Sequence, residues 1–586
     1  MSVRLFISRL KRVHTRDGTL LFIKKLFLYF PKKYLVQRHN LRKAYKNYLR
    51  NEYSTQELEI LHSSISSSPL KPLLSILIPT YKSNLHYLRL TIASIYKQSY
   101  SNWEVCIADD ASEDPELNQY LKDLSSKDPR FKCYFSSINQ HISKTSNLAL
   151  ELCAGEFVVL LDHDDELSPY ALAHIADKII KHPNLKIIYS DEDKMDLNGY
   201  RYEPYFKCNW NYELFLGQNL ISHLGAYSLK LVKKVGGFRA GYEGSQDYDL
   251  ALRCIELVND EDICHIPKVL YHWRALPGST ARNIDEKPYA TIAAEKALKD
   301  HLTRIGRPGT AEYFGYGYKI TFEIQASDNL INAFVPVASV AQLQQARELA
   351  EKLLSMSSIQ EVTLLIKKEL GRTQISIPNK ITIDYISDEN FIGEDVNYKI
   401  ILNHVLNVSK TYALLIAPDA QFGSEKWILD MISEVLKPSV AAVSNASLNQ
   451  KNELISGPII INSSGNAITP FYKLSNFHGG YFGRKKLTQQ LSALGMDCLL
   501  MNTNLIQDAI GNDAQLIGSD EEFFGLIRTK KFKLIWSPLS QIYLSSPSRP
   551  YKKFSAGKGL GSQKAVVDEF YSPNLDEDIL FIPRRT

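Results

Sequence analysis

EFVVLLDHDDEL, the sequence of residues 156–167, places five apolar residues directly before an acidic cluster that begins with Asp162 and includes Asp164. The apolar run has the length and composition of a buried strand. Two similar runs, Leu74–Ile78 and Trp103–Ala108, precede it, and helix-like periodicity separates them. This alternation predicts an α/β domain with a mostly parallel sheet and helices on both faces.

Acidic residues also follow the second apolar run, as Asp109 and Asp110. Because the carboxyl ends of parallel strands meet at one edge of a sheet, we expect these residues to converge with Asp162 and Asp164. An Asp-x-Asp pair can bind Mg²⁺ or Mn²⁺ together with the phosphates of a substrate. Taken alone, the pair also fits ordinary turn and helix-capping residues.

A third acidic site follows a glycine-rich segment, residues 236–244, which leads to Asp247 and Asp249 at the start of a predicted helix. A simple helix cap is the alternative interpretation of Asp247. The glycines do not follow a strand, as the dinucleotide-binding pattern requires, so the sequence does not predict a Rossmann cofactor site.

Six motifs together resemble glycosyltransferase family 2, in its O-antigen and cell-surface polysaccharide branch. The motifs, in chain order, are Leu74–Tyr81, Ile107–Ser112, Leu160–Leu167, Tyr189–Asp193, Gly244–Arg253 and Leu270–Arg274. The resemblance covers residues from about 70 to about 310. It implies a GT-A (nucleotide-diphospho-sugar transferase) fold and an inverting enzyme. Such an enzyme moves a sugar from a nucleotide-diphosphate donor to a hydroxyl of a growing surface polysaccharide or lipid-linked glycan.

The resemblance also implies site roles. Asp247 matches the general base. The remaining matches are Pro79, Thr80 and Tyr81 for the nucleoside, Asp109 or Asp110 for the nucleobase N–H of a UDP or dTDP donor rather than GDP, Asp162 and Asp164 for the Mg²⁺ or Mn²⁺ ion, and His272 as a third ligand or diphosphate contact. A core role for His272 remains the alternative.

Three details depart from the family or stay open. Where many members carry an Arg that binds phosphate, this chain has Lys144, which offers a point charge instead of a bidentate fork. We expect Asp249 to be structural. Residues 191–193, Asp-Glu-Asp, fit either a contact to donor sugar or acceptor, or a solvated acidic turn.

The strand–helix alternation restarts at Asn332, which predicts a second, degenerate GT-A-like domain. There Lys367-Lys368 takes the place of Asp109-Asp110, and Ala417-Pro418-Asp419 takes the place of Asp162-His163-Asp164. We expect this domain to be non-catalytic and to bind acceptor glycan, lipid carrier or a partner; a second transferase with an altered donor site is the alternative. The aromatic residues considered for sugar stacking are Phe471, Tyr472, Tyr481 and Phe482, and packing in the core is the favoured alternative for them.

The net charge of +5 is concentrated in residues 1–50, which carry 14 Lys or Arg and one acid. Apolar and basic residues alternate there, which predicts a basic amphipathic helix on an anionic membrane surface. A helix packed on the body and a nucleic-acid-binding segment are the alternatives, but no nucleic-acid-binding module follows, so we expect no nucleic-acid partner.

Composition and length limit the remaining choices. The 586 residues contain seven cysteines without a C-x-x-C pair and no apolar stretch long enough to span a bilayer. We expect a cytoplasmic protein, peripheral on the inner face of the cell membrane, with an arm (1–70), a catalytic domain (71–325) and a second domain (326–586). The rival function is a non-catalytic glycan-binding or scaffold subunit. A nucleotidyltransferase would need a glycine-rich phosphate loop, which residues 75–84 do not contain.

Overall fold

The computed structural model describes residues 32–276, 288–324, 331–372, 380–387, 391–392, 395–396, 398–408, 411–461, 467–511, 520–546 and 568–575. The first part of the basic arm, residues 1–31, lies outside this set. The described chain forms two compact units. Unit 1 is drawn from Met1–Lys207, Ile221–Ala297 and Pro573–Thr586, and unit 2 from Cys208–Leu220 and Leu298–Ser572. Residues 208–220 and 298–325, which the sequence assigned to the catalytic domain, thus fall within unit 2.

Helices and strands alternate along the first half of the chain. In order they are α1 (Lys32–Arg50), α2 (Thr55–Ser67), β1 (Leu74–Thr80), α3 (Leu85–Tyr96), β2 (Trp103–Asp109), α4 (Pro115–Lys127), β3 (Phe131–Phe135), α5 (His141–Glu151), β4 (Phe157–Leu160), β5 (Glu166–Leu167), α6 (Ala171–Lys181), β6 (Ile187–Met195), β7 (Arg201–Tyr205), α7 (Tyr212–Gly217), β8 (Gly225–Ser228), α8 (Leu229–Lys234), α9 (Gln246–Ile255), β9 (Ile263–Arg274) and α10 (Pro288–Arg304).

The second half continues the alternation. In order its elements are β10 (Gly309–Tyr313), β11 (Tyr318–Phe322), β12 (Ile331–Val337), α11 (Val340–Leu354), β13 (Ile359–Lys367), β14 (Ile381–Ile386), β15 (Phe391–Ile392), β16 (Asp395–Val396), α12 (Tyr398–Val408), β17 (Tyr412–Ile416), α13 (Lys426–Val435), β18 (Val440–Leu448), β19 (Leu454–Ser456), β20 (Pro458–Ile461), β21 (Ala467–Ile468), β22 (Gln489–Gln490), β23 (Ala493–Leu494), β24 (Cys498–Asn502), α14 (Thr503–Ile510), α15 (Asp520–Thr529) and β25 (Lys533–Tyr543). Short 3₁₀ turns lie at Asp260–Asp262, Lys368–Arg372 and Tyr481–Lys486.

Unit 1 is built on one mixed sheet with the strand order β3-β2-β1-β4-β8-β6-β9-β5, and β7 pairs with β6. Strands β3, β2, β1 and β4 are parallel, whereas β8 runs antiparallel to β4 and β6. The apolar runs of β1 and β2 are almost fully buried, as expected for parallel strands covered on both faces. The predicted α/β fold class is therefore confirmed.

Register places the acidic strand ends of unit 1 at one edge. Thr80 pairs with Asp109 across β1 and β2, and Leu77 pairs with Leu160 across β1 and β4. The loop that follows Leu160 carries Asp162 and Asp164. The sheet thus brings the loops after β1, β2 and β4 to the same side.

Helix α1 packs on unit 1 through its last turns. Tyr45 and Tyr48 are buried, and the Tyr48 ring lies 5.0 Å from the ring of Phe206 in an edge-to-face arrangement. The part of the basic arm that the structure describes is therefore anchored by aromatic packing. In the described parts of the chain, no helix has both the length and the apolar character needed to cross a bilayer.

Unit 2 repeats this sheet order in seven positions: β14-β13-β12-β17-β24-β18-β25, with β19 paired to β18 as β7 is to β6. The eighth position differs, because β22 comes from a later part of the chain than its counterpart β5. Residues 208–220 are fixed in this unit by buried polar contacts. Lys437 pairs with both Glu213 and Glu434, and Asn211 exchanges two hydrogen bonds with Gln490.

Gly155 lies in the tight turn between α5 and β4. A Cβ at this position would lie 2.5 Å from the Leu73 carbonyl oxygen and 2.9 Å from the Ser75 nitrogen, both of which are backbone atoms. We expect Gly155→Ala to lower the free energy of unfolding by about 1–3 kcal/mol because the backbone must shift. Urea denaturation measures this change. Gly423→Ala is the control, since nothing lies within 4 Å of its added Cβ; equal stability of both variants would contradict the prediction.

Candidate active site

Four aspartates interact at the edge of the unit 1 sheet. Burial raises the pKa of Asp164, and the neighbouring Asp162 carboxylate raises it further. Burial also raises the pKa of Asp247, at the start of α9, and Asp162 again adds to the shift. Asp165 is fully buried, and the charges of Asp164 and Asp162 raise its pKa as well. The sheet and α9 thus bring these carboxylates close enough to repel one another.

Asp165 ties the acidic loop to β9. Its carboxylate accepts hydrogen bonds from the Tyr271 hydroxyl at 2.5 Å and from the Arg274 backbone N–H at 2.7 Å. Arg274 also donates from Nε to the Asp164 carbonyl at 2.8 Å, and the Asp162 N–H donates to the Tyr271 hydroxyl at 3.3 Å. Asp165 is therefore structural, and it orients the loop that carries the other two aspartates.

His223 is a site residue that the sequence analysis missed. Its ring stacks on Tyr271 at a centroid distance of 4.4 Å and an angle of 10°, and it meets Trp273 edge to face at 5.3 Å. The charge of His223 lowers the pKa of Asp247, opposing the effect of Asp162. A lone histidine between Ser222 and Leu224 has no distinguishing sequence pattern. Only the return of the chain into unit 1 at residue 221 places it beside the aspartates.

His272 is buried in β9, and its Nδ1 lies 2.7 Å from Oδ1 of Asp193. The same aspartate accepts from Arg201 Nε at 2.6 Å and from the Tyr45 hydroxyl. Among the residues with described positions, no three His, Cys, Asp or Glu side chains are grouped as a metal-binding set. The roles of Asp162, Asp164 and His272 in binding a cation therefore stay predictions.

The acidic run at residues 191–193 is not a solvated turn. All three side chains are buried in β6, and each has partners distant in the sequence. Asp191 lies 2.8 Å from His265 Nε2 and accepts from the Lys207 backbone N–H at 2.8 Å. Lys207 Nζ donates to Glu192 at 3.1 Å. The solvated interpretation is wrong because long-range pairing, which local sequence does not reveal, buries these charges.

The two candidates for nucleobase recognition differ in their contacts. Both oxygens of Asp109 accept hydrogen bonds within the protein, Oδ1 from the Thr80 hydroxyl at 3.0 Å and Oδ2 from the Ser112 N–H at 2.9 Å. Asp110 accepts through Oδ1 from the Gln140 N–H at 2.7 Å, and its Oδ2 has no hydrogen-bond partner among the described residues. Asp109 therefore holds the strand ends together, and Asp110 retains a free acceptor.

The other predicted ligand-binding residues lie around the same strand ends. Pro79 and Thr80 end β1, and the Tyr81 side chain is 44% exposed. Lys144 is exposed in the first turns of α5. The two exposed side chains are thus open to a ligand, whereas Thr80 is buried and supports Asp109.

Asp249, two residues after Asp247, has a structural environment. It is buried and accepts from Arg239 Nε at 3.1 Å and from Arg253 Nε at 3.0 Å. Arg253 also donates to the carbonyls of Val235 and Gly237 at 2.7 Å. This ion-pair cluster fixes the glycine-rich segment to α9 and so determines where Asp247 lies.

The corresponding edge of unit 2 has different chemistry. Lys367, at the end of β13, pairs with Glu369 at 3.0 Å. Asp419 accepts the Ser545 N–H at 2.8 Å through Oδ2, and Leu544 is fully buried. The side chain of Asp520 lies outside the described set. The described residues at this edge therefore do not reproduce the carboxylate pair of unit 1.

The fold and the acidic edge of unit 1 define an α/β enzyme domain whose site lies beyond the carboxyl ends of its strands. Residues 75–236 match the family model described as Glycosyl transferase family 2. This part of the chain is therefore a glycosyltransferase family 2 domain, which confirms the family that the sequence motifs indicated.

Relatives and solved structures extend the comparison. Uncharacterized protein y4gI of Sinorhizobium fredii (strain NBRC 101917 / NGR234) is 34% identical over 483 residues, covering 80% of this chain and 53% of that protein. O-antigen biosynthesis protein RfbC of Myxococcus xanthus is 27% identical over 460 residues, covering 77% and 36%. S. aureus TarS 1-349 in complex with UDP-GlcNAc aligns with 20% identity and a TM-score of 0.31, covering 39% and 72%. The chain thus spans about half or less of the length of these two sequence relatives.

Asp247 and Asp249 form a matched pair for testing the site. The folded-state pKa of Asp247 is raised above its ordinary value, so its ionisation destabilises the fold at neutral pH. We expect Asp247→Asn to be more stable than the parent at pH 7, with the difference narrowing as the pH falls through the folded pKa. Asp249→Asn should instead lower the free energy of unfolding by about 3–5 kcal/mol, because the buried Arg253 and the partly exposed Arg239 lose their carboxylate partner. Urea denaturation across this pH range measures both, and a destabilised Asp247→Asn would contradict the assignment.

Proposed function

We propose that unit 1 is an inverting glycosyltransferase that moves a sugar from a nucleotide-diphosphate donor to a hydroxyl of a growing cell-surface polysaccharide or lipid-linked glycan. The observation that carries this proposal is the electrostatic contact between Asp247 and Asp162, which are far apart in sequence. The name of the M. xanthus relative, an O-antigen biosynthesis protein, supports the polysaccharide acceptor.

Asp247 is the proposed general base. A carboxylate whose pKa is raised by burial accepts a proton from a hydroxyl more readily than an ordinary one. The acceptor hydroxyl gives its proton to Asp247 while its oxygen attacks the anomeric carbon, opposite the departing diphosphate, so the configuration inverts. His223 opposes the rise in the pKa of Asp247 that burial causes.

Asp162 and Asp164 fit the binding of Mg²⁺ or Mn²⁺. They are neighbouring hard-oxygen donors. Burial raises the pKa of Asp164, the charge of Asp162 raises it further, and a cation relieves such repulsion. Sites for these ions commonly use one or two carboxylates and substrate phosphates. When bound, the ion would offset negative charge on the departing diphosphate. His272 would contribute through Nε2, since its Nδ1 is held by Asp193.

The nucleotide would lie over the ends of β1 and β2. The free Oδ2 of Asp110 is suited to accept the N–H of uracil or thymine, which favours a UDP or dTDP donor over GDP. Tyr81 is exposed beside it, where its ring can contact the nucleoside, and Pro79 and Thr80 shape the strand end. Lys144 would supply a point charge to the diphosphate.

Unit 2 is proposed to be non-catalytic. Its sheet repeats the order of unit 1, but Lys367 and Lys368 cannot accept a nucleobase N–H, and one oxygen of Asp419 is already used by Ser545. We propose further that the protein works at the cytoplasmic face of the membrane, attached by the basic residues of the arm within residues 1–50.

Transfer assays with a panel of UDP-, dTDP- and GDP-sugars test the reaction. We expect Asp247→Asn to lower kcat by about 10²–10⁴-fold with donor binding retained, because only the base is lost. Asp162→Asn should raise the donor KM and the Mg²⁺ concentration needed, and EDTA should stop turnover. Asp123→Asn, in the exposed face of α4, is the control. Unchanged activity in both site variants would favour the scaffold function instead.

Vesicle sedimentation tests the membrane proposal. Because Tyr45 and Tyr48 pack on unit 1, the change should spare them and remove only residues 2–31. We expect this deletion to weaken binding to anionic vesicles, since each basic residue near the surface contributes about 1 kcal/mol. Neutral phosphatidylcholine vesicles are the control, and the transfer assay reports whether unit 1 is intact. Undiminished binding to anionic vesicles would assign the membrane contact to the body of the protein.

A further inference from the structure

Residues 475–486 of unit 2, here called the basic loop, read SNFHGGYFGRKK and contain no acidic residue. Four basic side chains lie in this short segment: His478, Arg484, Lys485 and Lys486. Arg484 and Lys485 are buried to about the same degree as core residues, at 3% and 2% exposure. Such burial is unusual for cations unless carboxylates surround them.

The partners of these cations are neutral. Lys485 Nζ donates to the Ser475 carbonyl at 3.1 Å, and Lys486 Nζ donates to Asn476 Oδ1 at 2.7 Å. Neither lysine forms an ion pair with any carboxylate in the described chain. The basic loop thus concentrates positive charge that its own surroundings do not neutralise.

Arg484 adds a second, independent observation. Its Nη2 donates to the Phe570 carbonyl and to Gln489 Oε1, both at 2.8 Å, and its Nε donates to the same Gln489 oxygen at 3.2 Å. Its Nη1 is buried without a hydrogen-bond partner among the described residues. A buried guanidinium N–H without an acceptor costs free energy, which an anionic ligand would offset.

The electrostatic effect of this arrangement is large. Burial, together with the charge of Lys486, lowers the pKa of Lys485 to about 7. Burial lowers the pKa of Lys486 to about 8, and burial and the charge of Lys485 lower that of His478. A lysine on a solvated surface keeps its ordinary pKa and its charge. Lysines with pKa values near neutrality are concentrated at functional sites.

Exposed aromatic rings lie on the same loop. Phe477 is 64% exposed and Phe482 is 38% exposed, whereas Phe471, just before the loop, stacks on Trp536 in the core at 6.0 Å. Phe471 therefore packs in the core, which is the interpretation that the sequence favoured for it. Exposed rings beside buried cations offer an apolar face for a sugar ring and charges for its acidic group.

We infer that the basic loop binds an acidic saccharide, whose carboxylate or phosphate lies against Lys485 and Lys486 and whose ring lies on Phe477 or Phe482. The site belongs to unit 2 and does not depend on the transfer reaction proposed for unit 1. It gives the unit that lacks the carboxylate pair a binding function of its own.

Calorimetric titration of the full chain tests the site without donor or turnover. The ligands are tetragalacturonate, its fully methyl-esterified form, which keeps the rings and loses the charges, and inorganic pyrophosphate. We expect tetragalacturonate to bind at least about tenfold more tightly than the ester. The double variant Lys485→Met/Lys486→Met should lose that difference, while Lys473→Met, which removes an exposed lysine just before the loop, should not.

Each outcome of the titration either supports or contradicts the proposed site. Binding of pyrophosphate alone, lost in the double variant, supports the site and identifies its anionic group as phosphate. No binding of either anion, or equal binding by the parent and the double variant, overturns the inference. Lys485 is buried and Lys486 is partly buried, and neither is paired with a carboxylate among the described residues. Replacing them with methionine should therefore leave thermal stability unchanged or raise it, so misfolding is not expected to obscure the result.

Proton uptake on binding, measured on the unmodified protein, is a second test, because a purely structural role of Lys485 would not produce it. At pH 8 Lys485 is mostly neutral, because burial and the charge of Lys486 favour that state. His478, whose own pKa is lowered by burial and by the charge of Lys485, is the other basic group that interacts with it. An anion favours the charged form, so binding must take up a proton. Titrations in two buffers of different ionisation enthalpy should show net proton uptake at pH 8, where Lys485 and part of Lys486 are neutral, and less uptake at pH 6. Binding without proton uptake at pH 8 would contradict the role of Lys485.

Discussion

The arrangement of the unit 1 site depends on the buried carboxylate of Asp165. Burial of this charge is unfavourable by itself, and the hydrogen bonds from the Tyr271 hydroxyl and the Arg274 N–H offset part of that cost. Because these donors lie on β9, the acidic loop after β4 is held to a strand three positions away in the sheet. The same Tyr271 ring supports His223 by stacking. One buried interaction therefore positions Asp162, Asp164 and His223 near Asp247, the proposed base.

Carboxylates of the same type have different roles here because their surroundings differ. Asp109 and Asp249 are buried with both oxygens accepting from nearby donors, so each stabilises the backbone around it. Burial raises the pKa values of Asp164 and Asp247, and the charge of Asp162 raises both further. Carboxylates with raised pKa values are typical of functional sites. The pattern of partners, more than the residue type, separates structural from functional aspartates.

The sequence predicted the parts of this protein that local pattern controls. Apolar runs such as Leu74–Ile78 form buried strands. Parallel pairing of these strands is enough to place Asp162 at the edge of the sheet. The remaining features depend on contacts between residues that are far apart in the sequence. The burial of Asp191 depends on His265, which follows much later in the chain, and the position of His223 depends on the excursion of residues 208–220 into unit 2. Neither dependence leaves a local signature.

The two units show that a fold constrains its core more strongly than its site. Seven strand positions recur in the same order, and buried apolar residues fill both cores, yet the loops of the two units carry different charged residues. Unit 1 gathers carboxylates, which suit a cation and its diphosphate, whereas the basic loop of unit 2 gathers cations without carboxylates. A sheet edge tolerates either choice because loops, not strands, carry these side chains. Unit 2 has no counterpart of the Asp162–Asp164 pair in its sequence, but its loops can still bind a charged ligand. Keeping Lys485 buried without a carboxylate partner costs free energy, and this cost is the argument that the basic loop binds an anion.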